Sequence, residues 1–315
     1  MTDRVLVTCP PMLGIIDEFA EAFSKQGLDF VAADVVQVMS EDELMEILPA
    51  YEGWIIGDDP ASGRVIEVAS KGRLRACVKW GVGTDNVDFP AFEELGIPVE
   101  NTPGVFGNEV ADVALTYTLG LARETYFINH EIRTKNAWPK PSGVSVLGRT
   151  VAIVGFGDIG RQTARRLAAC GANIMIYDPA YVPMEGVEAS HANWPERLDE
   201  VDFLIFTCPL NDATHHMFNH KILPRLKLGV RIVNVGRGPL IEEDALVKGL
   251  TDGVVHSAAL DVFEVEPLEA TSALRRFDRC IFGSHNGSNS IDAVRRVSYV
   301  AIEKIARLLK ETAGG

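Results

Sequence analysis

The sequence predicts an α/β fold built on parallel sheets, and three observations carry that prediction. Short apolar runs alternate with helical stretches along nearly the whole chain, the order expected of parallel strands joined by crossover helices. A glycine-rich turn, Gly155-Phe156-Gly157-Asp158-Ile159-Gly160, lies between one apolar run and one helical stretch. The chain has 315 residues and is 47% hydrophobic. At roughly 100–200 residues per domain, that is enough for two cores.

The elements follow in order. Residues 5–8, 29–32, 54–57, 76–80 and 97–99 read as strands. Ser40-Glu41-Asp42-Glu43 is a capping-box opening for a helix that Pro49 ends. From residue 108 the pattern changes: Val110, Val113, Ala114, Tyr117 and Leu121 recur at helical spacing. They predict one long helix over 108–133, outside the alternating series. Trp138-Pro139-Lys140-Pro141-Ser142-Gly143 reads as a loop. A second, more regular series has strands at 150–154, 173–177, 203–207, 231–235, 257–260 and 280–282, and a last helix over about 290–309.

Composition narrows the function. Lys+Arg of 30 against Asp+Glu of 44 gives a net charge of −14, which disfavours nucleic acid or anionic membrane as a partner. No apolar run approaches the roughly 18 residues of a spanning helix. Residues 4–7 read as a strand rather than a signal peptide, so a soluble, cytoplasmic protein is expected. The 5 cysteines form no C-x-x-C pair and read as small buried hydrophobes. His215, His216 and His220 lack a matching set of Cys or carboxylate ligands and read as solvated surface, with no metal site. His130, His191 and His256 stand alone.

The glycine turn is where a dinucleotide site needs it, between strand and helix. Gly155 allows the tight turn, Gly157 the approach of a pyrophosphate, and Gly160 the packing of helix on strand. The amides at Phe156, Asp158 and Ile159 belong to the same cradle at a helix N-terminus. Asp178 ends the next strand, 178 − 160 = 18 residues on, close to the roughly 20 expected for the acid that holds the adenosine ribose. A carboxylate there repels the extra phosphate of NADP, and Pro179-Ala180-Tyr181 supplies no arginine. The cofactor expected is NAD.

Three further segments follow successive strands: Asn234-Val235-Gly236-Arg237-Gly238, Asp261 to Pro267, and Ser284-His285-Asn286-Gly287. All are placed at the carboxyl edge that binds ligands in open α/β sheets. Moving a hydride to or from a carbon that bears oxygen needs a proton donor or acceptor, which a histidine beside a carboxylate supplies. An arginine can hold a substrate carboxylate and polarise its carbonyl. His285, Glu266 and Arg237 fit those roles.

With these segments the chain resembles the D-isomer-specific 2-hydroxyacid dehydrogenases over nearly its whole length. Gly81-Val82-Gly83-Thr84-Asp85-Asn86-Val87-Asp88, Val99 to Gly104, Cys208-Pro209-Leu210 and Gly236 to Ile241 look like family segments. The resemblance implies that Arg237, Glu266 and His285 are catalytic and that the Val82 and Gly83 amides grip the substrate carboxylate. It also sets Lys79 at the substrate mouth, and Cys208, Pro209 and Asp261 on the cofactor. It implies two Rossmann-like, doubly wound parallel-sheet domains: a discontinuous substrate domain, 1–103 completed by 287–315, and an NAD-binding domain, 104–286. A homodimer through the long helix is implied as well. Asp112, where Glu is common, and Asn286, where an apolar residue is common, depart from the pattern. Lys79-Trp80-Gly81-Val82-Gly83 resembles phosphoglycerate dehydrogenases most. The rival readings are a glyoxylate/hydroxypyruvate reductase and an NAD(H)-sensing protein without turnover.

Overall fold

A computed structural model describes residues 2–313. The strands are β1 Asp3–Val7, β2 Leu28–Ala32, β3 Gly53–Ile56, β4 Ala76–Lys79, β5 Val99–Asn101, β6 Thr150–Val154, β7 Asn173–Tyr177, β8 Ala189–His191, β9 Phe203–Phe206, β10 Val230–Asn234, β11 Val255–Leu260 and β12 Ile281–Phe282. The helices are α1 Pro10–Leu13, α2 Ala20–Lys25, α3 Glu41–Ile47, α4 Gly63–Ser70, α5 Phe89–Glu94, α6 Gly107–Arg123, α7 Thr125–Lys135, α8 Asp158–Ala169, α9 Glu243–Thr251 and α10 Ile291–Ala313. They form two compact units, Met1–Phe106 with Asn289–Gly315, and Gly107–Ser288.

The first unit carries a five-stranded sheet in the order β2-β1-β3-β4-β5, parallel throughout. Leu6, Trp54, Ile56, Cys77 and Phe92 are buried together on it. The capping box of α3 forms: the Ser40 side chain accepts the Glu43 N–H, and the Glu43 carboxylate accepts the Ser40 N–H at 2.8 Å. The strand expected at 97–99 starts two residues later. Pro98 has no N–H to give a ladder, although its carbonyl accepts the Cys77 N–H at 2.9 Å.

The second unit carries a seven-stranded sheet in the order β12-β11-β10-β9-β6-β7-β8, also parallel. Strands buried on both faces read as continuous apolar runs, as in β9 and, after Thr150, β6; β10 is buried throughout but carries Arg231 and Asn234. Each sheet reverses its winding once, between β1 and β3 and between β6 and β9. Those are the switch points where such sheets bind ligands.

Two expectations need correction. The single helix over 108–133 is two helices, because Glu124 between them takes a left-handed conformation with φ 53°. Glu124 is 6% exposed, accepts from Arg279 Nε at 3.0 Å and lies 3.6 Å from His256 Nε2. A carboxylate buried against those groups sets the elbow, which helical periodicity does not register. The third strand on the β7 side, β8, was not expected: it has three residues, two of them exposed, and no apolar run.

Removing the Glu124 carboxylate leaves Arg279 without its hydrogen-bond partner and buried Arg231 without that counter-charge. Glu124→Ala is therefore expected to destabilise the protein by about 2–3 kcal/mol, read as a lower urea midpoint. An unchanged midpoint contradicts this account of the elbow.

Candidate active site

The glycine turn leaves β6 at the second unit's switch point. Gly155 has φ 94°, and a Cβ on Gly160 would stand 2.1 Å from the Gly155 carbonyl oxygen. Gly157 differs: its φ is −73°, ordinary for any residue, and a Cβ there would meet no atom of the protein within 4 Å. The protein's own packing does not demand glycine at 157. Open space over a backbone at the N-terminus of the twelve-residue α8 fits the approach of a pyrophosphate. Phe156, Asp158 and Ile159 lie on this turn and the first turn of α8.

Asp178 follows β7 and faces the turn. Its Oδ2 accepts the Phe156 N–H at 2.5 Å and its Oδ1 the Ala180 N–H at 2.7 Å. Each oxygen keeps a lone pair for a ribose hydroxyl. Cys208, after β9, is buried, and burial pushes its thiol up to about 12, so it contributes backbone and bulk rather than a thiolate. Pro209 follows it on the same edge, where its carbonyl accepts from Thr214 Oγ1 at 2.8 Å.

Arg237, Glu266 and His285 all belong to the second unit, after β10, β11 and β12. His285 Nδ1 stands 2.8 Å from Glu266 Oε2. Glu266 Oε1 accepts the Phe263 N–H at 2.9 Å, so one oxygen holds the loop and the other meets the imidazole. A carboxylate can only accept, so Nδ1 carries a proton and the ring exchanges protons at Nε2. Arg237 donates to the Gly236 carbonyl at 3.0 Å. Its turn is stapled by Asn234, whose side chain donates to the Arg237 carbonyl at 2.9 Å and accepts the Gly236 N–H at 3.0 Å.

Asp261 is 4% exposed. Its Oδ2 accepts the Gly287 N–H at 2.7 Å, its Oδ1 the Tyr117 hydroxyl at 3.3 Å, and its carbonyl the His285 N–H at 2.7 Å. Burial, then the Asp261 charge, holds the Tyr117 phenol well above its ordinary value. Tyr117 read as a plain core position of a helix, and nothing in its spacing announced this contact.

Lys79, Val82 and Gly83 lie in the first unit, at or after the end of β4. The loop they enter is pinned: Thr102 Oγ1 accepts the Gly81 N–H at 2.7 Å, and Asn101 donates to the Val82 carbonyl at 3.0 Å. The Lys79 side chain is only 3% exposed. Its ammonium donates to the Gly57 carbonyl and, at 3.0 Å, to Asp58 Oδ1. Asp112 accepts from Arg166 Nε at 2.7 Å on the surface of the second unit.

The expectation of a solvated histidine at 216 is corrected. Its Nε2 lies 2.5 Å from Glu264 Oε1, and its ring stacks on His215 at 3.9 Å. Glu264 is distant in sequence, so no local ligand spacing revealed the pair. His191 is likewise engaged, stacked on Tyr181 at 4.9 Å with Nε2 3.0 Å from the Asp178 carbonyl. Among the described residues no group of three or more His, Cys, Asp or Glu is placed to hold a metal ion. No helix there is long and apolar enough to cross a membrane.

A family model described as D-isomer specific 2-hydroxyacid dehydrogenase, NAD binding domain, matches residues 115–287. The chain is 34% identical over 278 residues to a hydroxypyruvate reductase of Thermotoga maritima, spanning 86% of this chain and 89% of that protein. It is 31% identical over 315 residues to the chloroplastic D-3-phosphoglycerate dehydrogenase 2 of Arabidopsis thaliana, spanning 98% of this chain and 50% of that one. Among solved structures, a glyoxylate reductase from Paecilomyes thermophila matches with a TM-score of 0.84 at 26% identity, over 98% of this chain and 95% of its own.

The two glycines at 157 and 160 separate ligand from fold. Gly157→Ala is expected to keep the thermal midpoint and weaken NADH binding by at least about tenfold, through a methyl group in the pyrophosphate's path. Gly160→Ala, which presses on the Gly155 carbonyl, is expected to lower the midpoint itself. Fluorescence titration and thermal melts read both. Unchanged NADH affinity in Gly157→Ala contradicts the cradle.

Proposed function

Because the chain belongs to the D-isomer specific 2-hydroxyacid dehydrogenase family, we propose that it transfers a hydride between NAD and C2 of a small, unphosphorylated D-2-hydroxy acid or its 2-keto acid. The observation that carries the reading is the His285–Glu266 pair at 2.8 Å. It sits in the same unit as Arg237 and the glycine turn.

NAD, when held there, would supply the hydride acceptor in oxidation and, as NADH, the hydride donor in reduction. His285 Nε2 hands a proton to the substrate oxygen during reduction and removes it during oxidation. Glu266 holds the ring's tautomer and offsets the charge the ring gains. Arg237 fixes the substrate carboxylate and polarises the carbonyl; in the first unit, the Val82 and Gly83 amides are the donors suited to a carboxylate. Asp178 takes the adenosine ribose, with Gly155, Phe156, Gly157, Asp158, Ile159 and Gly160 around the pyrophosphate. Cys208 and Pro209 back the cofactor, and Asp261 serves its nicotinamide end.

The contacts of Lys79 support one of the two substrate readings over the other. A phosphorylated acid needs a cation to receive its second anion, and here the ammonium is already met by Asp58 and the Gly57 carbonyl. That pairing moves the reading from a phosphoglycerate-type substrate toward glyoxylate or hydroxypyruvate. Exposed Tyr126, Ile132 and Trp138, on α7 and just after it, support self-association as a homodimer. The net charge of −14 suits a cytoplasmic enzyme without nucleic-acid partners.

NADH oxidation against glyoxylate, hydroxypyruvate and 3-phosphohydroxypyruvate tests this reading. The first two are expected to be turned over with NADH in strong preference to NADPH. The phosphorylated acid is expected to be at least about tenfold poorer in kcat/KM, a difference of about 1.4 kcal/mol in transition-state stabilisation. A preference for the phosphorylated acid overturns the substrate assignment, and no turnover of any overturns the enzyme reading.

A further inference from the structure

We infer that His216 is a positioning residue for the proton-transfer pair, clamping through Glu264 the loop that presents Glu266 to His285. What Glu266 does rests on the reading above; the clamp rests on contacts within the second unit.

His216 Nε2 stands 2.5 Å from Glu264 Oε1. The other carboxylate oxygen of Glu264 accepts the Glu243 N–H at 2.9 Å, at the first turn of α9, and the Glu264 N–H returns to Glu243 Oε1 at 3.0 Å. The His216 N–H donates to the Pro239 carbonyl at 2.8 Å, two residues beyond Arg237. One histidine thus ties together the segment after Cys208, the turn after Arg237 and the loop of Glu266. That loop has little slack there. A Cβ on Gly238 would stand 1.8 Å from the Phe263 carbonyl oxygen, so the two turns run backbone against backbone. Glu266 lies two residues past Glu264 and spends one oxygen on Phe263 N–H and the other on His285.

Chemistry explains why a histidine stands at the node. Glu264 and Glu243 face each other as two carboxylates, and burial pushes the Glu243 carboxyl up. A ring N–H aimed at Glu264 Oε1 holds that carboxylate in place. Without it, Glu264 turns toward water and the loop two residues before Glu266 loosens. Misplacement of reacting groups by about 1 Å costs up to about a hundredfold in rate.

The test compares His216→Ala, His216→Gln, Glu266→Gln and the double variant His216→Ala with Glu266→Gln in the full-length protein. In proton NMR without substrate, the low-field resonance of the His285 Nδ1–H bonded to Glu266 is expected to be lost or moved upfield in His216→Ala. It is expected to be retained in His216→Gln, whose amide still donates to Glu264. With keto acid, His216→Ala is expected to lower kcat by about tenfold or more with NADH affinity unchanged. On the Glu266→Gln background the same change is expected to cost nothing further, because the two residues act in one chain. An unmoved His285 resonance, or equal losses on both backgrounds, overturns the proposal. Turnover of no keto acid by the parent protein, with the resonance still lost in His216→Ala, overturns the enzyme reading and leaves the clamp standing.

Discussion

Asp261 leaves the end of β11 with a carboxylate buried to 4% exposure, one oxygen on the Gly287 amide, the other on the Tyr117 hydroxyl, and its carbonyl on the His285 amide. A charge taken from water costs several kcal/mol unless donors replace the water, and here a loop and a helix supply them. The requirement works in both directions. Tyr117 of α6 and the 285–287 turn must come to Asp261 to satisfy it, and once there they fix His285. His285 needs such fixing because its φ is 54°, a left-handed conformation that costs a residue with a Cβ about 1–2 kcal/mol. The 2.8 Å contact of its ring with Glu266 follows from a backbone held in that strained turn.

The legible part of the sequence was the part set by burial and by local geometry. β6 and β7 end where their apolar runs do and begin one polar residue before them, since a strand covered on both faces has no polar face to blur its edges. The glycine turn and the capping box are local constraints, readable from a few residues. Strand ends then set Arg237, Glu266 and His285 on one edge, because every strand of the sheet is parallel. The parts that stayed hidden are those decided by a partner far along the chain. Glu124 breaks a helix for Arg279, 155 residues away. His216 turns to Glu264 across 48 residues, and Tyr117 to Asp261 across 144. Periodicity sees each of them as an ordinary residue of its type.

Lys79 shows the same limit in the first unit, with a consequence for chemistry. A lysine before a glycine loop reads as an anion receptor until its side chain is found 3% exposed, with the ammonium on Asp58 and a carbonyl. Nearby, buried Asp59 accepts the Met39 and Gly57 amides at 2.8 and 3.1 Å, with burial raising its carboxyl above the usual value. The switch point of that sheet is therefore polar and committed to holding its own loops.

In the proposed reaction a hydride passes directly between NAD and C2 while His285 handles the proton. Reducing glyoxylate with NADH deuterated at both C4 positions, in ordinary water, tests it most directly. The account predicts glycolate carrying one deuterium at C2, with the hydroxyl proton drawn from solvent through the ring. Glycolate without deuterium at C2, formed while the labelled cofactor is consumed, would contradict it.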